Sequence, residues 1–216
     1  MADTGWKFPG TAVGNRAVSG STSDWSNPDN IKADDASVAG ITVLGGQLSR
    51  GLAATNFDFS SIPVGATIDG IEIQLGDYEK ISGIELSTTN LRLILADGSD
   101  GTENKFLDVA SWGSIQTDEA GGAADLWTET ITRADVQDVD WGWFISVDAA
   151  FVQGIGEVDF MQMKVYYTLG GPTPGLGSLT ITGLLPLIPP SITSVNAGAA
   201  WADGDTNLEI VGSSLI

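Results

Sequence analysis

Residues 67–78, Thr67-Ile68-Asp69-Gly70-Ile71-Glu72-Ile73-Gln74-Leu75-Gly76-Asp77-Tyr78, alternate apolar and polar side chains almost without a break. Successive side chains of a strand point to opposite faces. A period of two therefore places Ile71, Ile73 and Leu75 on one face and Ile68, Gly70, Glu72 and Gln74 on the other. One face belongs to a core and one to water. Downstream, Leu91-Arg92-Leu93-Ile94-Leu95 reads as a second strand, stopped by the turn residues Asp97-Gly98-Ser99-Asp100-Gly101. Residues 127–131 put Trp127, Glu129 and Ile131 on one face, and residues 141–147 put Trp141, Trp143, Ile145 and Val147 together. In residues 157–168, Val158, Phe160, Gln162, Lys164 and Tyr166 oppose Met161, Met163, Val165 and Tyr167. Upstream, the β-rich runs 36–44 and 47–54 are separated by Gly45-Gly46, a hairpin-type turn signal, and Ile62-Pro63-Val64-Gly65 marks another turn. Thr132-Arg133-Ala134-Asp135-Val136 is the one convincing helical turn, with Thr132 placed to cap it. About eight strands with almost no helix predict an all-β fold built as a two-sheet sandwich.

Composition narrows the chemistry. Neither cysteine nor histidine occurs among the 216 residues. Disulfides, thiolate metal sites, cysteine nucleophiles and Ser-His-Asp arrangements are thereby excluded, and stability must come from burial. Asp and Glu number 28 against 9 Lys and Arg, and the resulting net charge of −19 opposes binding to nucleic acid or to an anionic membrane. Residues 1–5 carry neither a basic nor an apolar export signal, and no apolar run approaches the roughly 18 residues of a membrane span.

The ends of the chain read differently from its middle. Residues 1–24 are rich in Gly, Ser and Asn with isolated aromatics, which predicts an extended N-terminal arm. Residues 25–168 hold the sandwich. Residues 169–190 are a Gly- and Pro-rich linker, and residues 191–216 contain Leu208-Glu209-Ile210-Val211-Gly212-Ser213, a strand with no partner downstream. The expectation is a second domain begun but not finished, or one that borrows strands from a neighbour.

Two resemblances sharpen this reading. Leu52-Ala53-Ala54-Thr55-Asn56-Phe57-Asp58-Phe59 with Ile62-Pro63-Val64-Gly65-Ala66-Thr67-Ile68-Asp69-Gly70-Ile71 resembles the opening of a jelly-roll-like module of bacteriophage virion and tail proteins. Ala124-Asp125-Leu126-Trp127, Thr132-Arg133-Ala134-Asp135-Val136 and Val158-Asp159-Phe160-Met161-Gln162-Met163-Lys164-Val165-Tyr166-Tyr167 resemble its closing half, with Trp141-Gly142 where the family more often has Phe-Gly. Pro190-Ser191-Ile192-Thr193-Ser194-Val195 with Asp203-Gly204-Asp205-Thr206-Asn207-Leu208-Glu209-Ile210-Val211-Gly212 is similar to the first strands of an IPT/TIG-type immunoglobulin-like domain. The resemblances imply a jelly-roll-like β-sandwich followed by a partial Ig-like segment, and no catalytic residue. They imply a virion surface protein, assembled in the host cytoplasm, that anchors or displays a tail fibre, spike or head fibre. Its partners would be capsid, portal, collar or tail proteins and further copies of itself, possible trimers included. Capsid decoration is the alternative within that class, and a carbohydrate-binding adhesin the alternative outside it.

Candidate sites follow from residue type. Asp97, Asp100 and Glu103 offer carboxylate oxygens for Ca²⁺ on one turn, although the spacing is not that of an EF-hand and Asp is an ordinary turn residue. No other cofactor is expected. Asp34-Asp35 and Asp203-Gly204-Asp205 read as solvated loop charges. Asp138 and Asp140 beside Trp141 come nearest to a glycosidase carboxylate pair, and read better as a solvated turn. Trp6, Trp25, Trp112 and Trp201 lie in Gly- and Ser-rich surroundings and are candidates for contact with a partner or host surface glycan. Leu184, Leu185, Leu187 and Ile188 form an apolar run suited either to packing on a flanking domain or to an oligomer contact.

Overall fold

The computed structural model describes residues 1–83, 86–108 and 112–169. Its strands are β1 (Ala2–Asp3), β2 (Pro9–Arg16), β3 (Ser21–Ser23), β4 (Ala39–Val43), β5 (Gln47–Ser49), β6 (Gly51–Phe57), β7 (Thr67–Gly83), β8 (Leu86–Ile94), β9 (Gln116–Gly121), β10 (Gly142–Ala149), β11 (Gly154–Val158) and β12 (Phe160–Thr168). Among the described residues, helix is confined to α1 (Arg133–Val136) and to 3-10 turns at Pro28–Lys32 and Phe106–Asp108. The protein is an all-β sandwich of two sheets. In the first, β7 is flanked by β9 on one side and by β12 and β11 in succession on the other, which pair in turn with β1 and β4. In the second, β10 is flanked by β8 and by β6 and β5 in succession, which pair with β2 and β3. From β4 onward the chain changes sheet at every connection, apart from the breaks between β5 and β6 and between β11 and β12. The row orders β4–β11/β12–β7–β9 and β6–β10–β8 are those of a jelly roll.

That topology explains two departures from the sequence reading. The Gly45-Gly46 turn, closed by Gln47 N–H donating to Leu44 O at 3.0 Å, carries the chain from one sheet to the other and does not pair β4 with β5. Residues 1–24, expected to be an extended arm, supply β1, β2 and β3, and so cover β12, β6 and β5, whose flanks would otherwise be open edges.

Local breaks in register decide which side chains reach the core. Ile71, Ile73 and Leu75 are buried as the alternation predicts, with Glu72 and Gln74 half-buried opposite them. Ile68, expected on the polar face, is buried too, because the pairing with β12 slips between Tyr166 and Tyr167 and turns it inward. A second irregularity at Asp77, held at φ 44°, turns Tyr78 into the core. The partner strand breaks at the same level. Phe160 pairs with Gly76 and Glu157 with Glu79, and between them Asp159 separates β11 from β12, so that Val158 and Met161 both point inward. Gly76 is required there, since a Cβ at that position would lie 2.0 Å from the Phe160 ring.

Residues 127–131 are not the strand expected. Trp127 and Thr128 have φ of 54° and 58°, a left-handed pair that no ladder accommodates, and Trp127 N–H donates to Asp125 Oδ1 within a turn. The indole is nonetheless buried, donating to Ile71 O at 3.1 Å. The predicted helical turn forms as α1. Thr132 Oγ1 accepts from Asp135 N–H at 3.3 Å while Asp135 Oδ2 accepts from Thr132 N–H at 2.8 Å, a reciprocal capping box.

Candidate functional site

Both ends of the sandwich expose apolar side chains. At the end where β7 finishes, the turn after β4 meets the loop from β10 to β11. Gly46 N–H donates to Ala149 O at 2.6 Å, and a Cβ on Gly45 would lie 2.3 Å from Phe151 O, so the two backbones are in contact only because residue 45 is glycine. This end leaves apolar side chains in water: Phe151 is 86% exposed and Leu44 52%, with Ile81 and Val152 also exposed. At the other end Thr168 pairs with Thr67, where β7 begins, and Val64, 88% exposed, and Leu169 are in water there. The 17 residues of β7 at about 3.3 Å each separate the two ends by roughly 50 Å.

Carboxylates gather at a different place. Asp34 follows the 3-10 turn of Pro28–Lys32, Asp77 sits at the β7 irregularity, and Asp159 fills the break between β11 and β12. One carboxylate oxygen from each lies within 4.8 Å of the others. Asp159 is 3% exposed, and its Oδ2 accepts from Ala36 N–H at 3.1 Å while its Oδ1 has no hydrogen-bond partner. Burial pushes its carboxyl above the ordinary value. The N–H groups of Ala36 and Asp35 pull the other way, and the charges of Asp34 and Asp35 raise it further. Asp77 is oriented by Thr117, whose hydroxyl donates to Asp77 Oδ1 at 3.0 Å and accepts from Asp77 N–H at 3.1 Å.

The metal ligands expected at residues 97–103 are engaged elsewhere. Asp97 Oδ1 accepts from the Ser99 hydroxyl at 2.6 Å and the Ser99 N–H at 2.9 Å, which hold its carboxyl below the usual range. Asp100 pairs with Arg16, and Glu103 accepts from Lys105 Nζ at 2.7 Å. Each faces a cation or turn donors, and the three do not form one ligand set. Asp138 and Asp140 likewise belong to a turn, Asp138 Oδ1 accepting from Asp140 N–H at 2.9 Å.

Two of the tryptophans proposed as contact residues are core instead. Trp25 and Trp112 are 4% and 2% exposed, lie 6.1 Å apart by ring centroid, and donate to Arg50 O and Thr88 Oγ1 respectively. Room for them is left by glycines elsewhere in the chain: a Cβ on Gly14 would lie 2.9 Å from Trp25 Cβ, and one on Gly156 2.9 Å from the Trp112 ring. Trp6 is half-buried, with Lys164 Nζ 4.1 Å from its ring centroid and 2.6 Å from Glu72 Oε2. Trp201, Leu184, Leu185, Leu187 and Ile188 lie outside the described residues, as do residues 170–190 of the expected linker and residues 191–216, expected to begin an Ig-like domain.

Compared with known proteins, the chain matches no family model, no curated protein and no solved structure. Sequence reasoning missed both the exposed Phe151 and the Asp34–Asp77–Asp159 cluster. A signal for the second was present, since Asp159 is a lone carboxylate in the run from Val158 to Val165, where a polar residue at a core level marks a break or a site.

Proposed function

We propose that this chain is a non-catalytic structural module of a bacteriophage virion, seated on the particle by the Leu44–Phe151 end of its sandwich and continuing outward from the Thr168 end. The observation that carries the reading is Phe151 itself: at 86% exposed it is by far the most exposed aromatic among the described residues, and Leu44, Ile81 and Val152 are exposed at the same end. A side chain as exposed as Phe151 contributes little to the isolated fold, whereas an aromatic seated in a partner's pocket is the usual anchor of a protein interface. The jelly-roll order and the resemblance of residues 52–71 and 158–167 to phage virion modules support the same reading. The adhesin reading loses ground because Trp25 and Trp112 are packed in the core, away from any glycan.

Phe151→Asp tests this directly. The variant should fold as the parent does, within about 0.5 kcal/mol, because the side chain is exposed. Particles assembled with it should contain far fewer copies than wild-type particles, measured by quantitative mass spectrometry of purified virions. Equal incorporation of the variant, or absence of the wild-type chain from purified particles, overturns the proposal.

A further inference from the structure

We propose that Asp34, Asp77 and Asp159 form a divalent cation site, with Ca²⁺ as the ion, that fastens the loop after the N-terminal 3-10 turn to the paired breaks in β7 and β11/β12. Two independent observations support it. Three carboxylates from distant parts of the chain each bring an oxygen within 4.8 Å of the others. Separately, the Asp159 side chain that joins this cluster is 3% exposed, and its Oδ1 has no hydrogen-bond partner. A buried carboxylate oxygen without a donor is costly, and two more carboxylates alongside worsen it, unless a cation occupies the space between them.

The donor set selects the kind of ion. All three ligands are carboxylates, and the chain has no histidine or cysteine, so soft and borderline metals lack their preferred donors. Ca²⁺ accepts six to eight oxygens in flexible geometry, and carboxylates on a loop, a strand irregularity and a strand break suit it better than the strict octahedron of Mg²⁺. Asp34 is exposed, so water can reach that side and complete the shell. The site lies where β7 is irregular at Asp77 and β11 gives way to β12 at Asp159, and Thr117 already holds Asp77 in place.

The test is a thermal melt and calorimetric titration of the full chain, stripped with chelator and then given CaCl₂ or MgCl₂. At a hundred times its dissociation constant, Ca²⁺ should raise the melting temperature by about 5 to 10 °C, and Mg²⁺ by much less. Asp34→Asn changes an exposed residue and should fold normally in chelator, while weakening Ca²⁺ at least tenfold. Asp159→Asn should abolish the shift, and Asp97→Asn should leave it intact. The proposal is overturned if Ca²⁺ neither binds nor shifts the wild-type melt, or if the shift survives undiminished in Asp34→Asn.

Discussion

Replacing Trp112 distinguishes a core indole from a surface platform. Its ring lies 4.9 Å from that of Tyr78 and 6.1 Å from that of Trp25, against Gly156, with Nε1 donating to Thr88 Oγ1 at 3.1 Å. An indole buries about 200 Å², which at about 25 cal/mol per Å² corresponds to roughly 5 kcal/mol as an upper bound. Large-to-small substitutions at such sites cost about 3 to 5 kcal/mol, so Trp112→Ala should lose about 4 kcal/mol. At about 2 to 4 °C per kcal/mol for a unit of this size, the melting temperature should fall by roughly 8 to 16 °C. Trp112→Phe keeps most of the volume but strips Thr88 of its donor, for about 1 to 2 kcal/mol. Trp143→Phe is the internal control. Trp143 is also fully buried, but its Nε1 has no partner, so the substitution removes an unpaired donor and should cost less than Trp112→Phe. Urea titrations followed by far-UV circular dichroism measure all three. A loss below about 1 kcal/mol for Trp112→Ala would refute the placement of this indole and restore it as a candidate contact residue.

Burial raises the Asp148 carboxyl above its ordinary value, so the unfolded chain releases that proton first as pH rises. From the ordinary carboxylate value up through the folded one, the native state holds more protons and stability falls. Asp148→Asn should therefore be more stable than the parent at neutral pH and equal to it at strongly acid pH, by urea midpoints across that range; a parent that is the more stable at pH 7 contradicts this. Thr132→Ala removes the hydroxyl of the α1 capping box and should cost about 1 kcal/mol by the same assay, with Thr132→Ser near neutral. Gly142→Ala would set a Cβ 1.9 Å from Ala54 O, so β10 and β6 must separate, and the folded protein should be lost or strongly destabilised. A normal melt for that variant would refute the pairing of Gly142 with Thr55.

Much of the fold was legible because it follows from alternation. Ile71, Ile73 and Leu75 declare their face in any register, and Thr132 with Asp135 three residues on declares a helix start. What the sequence left open were events that invert alternation. The slip near Tyr166, the left-handed Asp77 and the break at Asp159 each turn a side chain over, and of the three only Asp159, a lone carboxylate in the run from Val158 to Val165, leaves a mark in the sequence. Trp127 shows the same limit: its burial was predictable, but its route inward is a turn. The candidate sites were harder still. Loop composition around Trp25 and Trp112 suggested exposure, whereas both indoles are buried and the glycines that leave them room, Gly14 and Gly156, lie elsewhere in the chain. The exposed surface around Phe151 and the meeting of Asp34 and Asp77 with Asp159 arise only when distant loops and strands are brought together, which no local pattern encodes.

The most direct test of the virion assignment is a cryo-EM reconstruction of purified particles at a resolution that places this sandwich. The account predicts the sandwich in stoichiometric copies, with Leu44 and Phe151 against a neighbouring subunit and Thr168 directed away from the particle. A sandwich seated by the Thr168 end, or particles without it while the chain persists as a free monomer, would contradict the account.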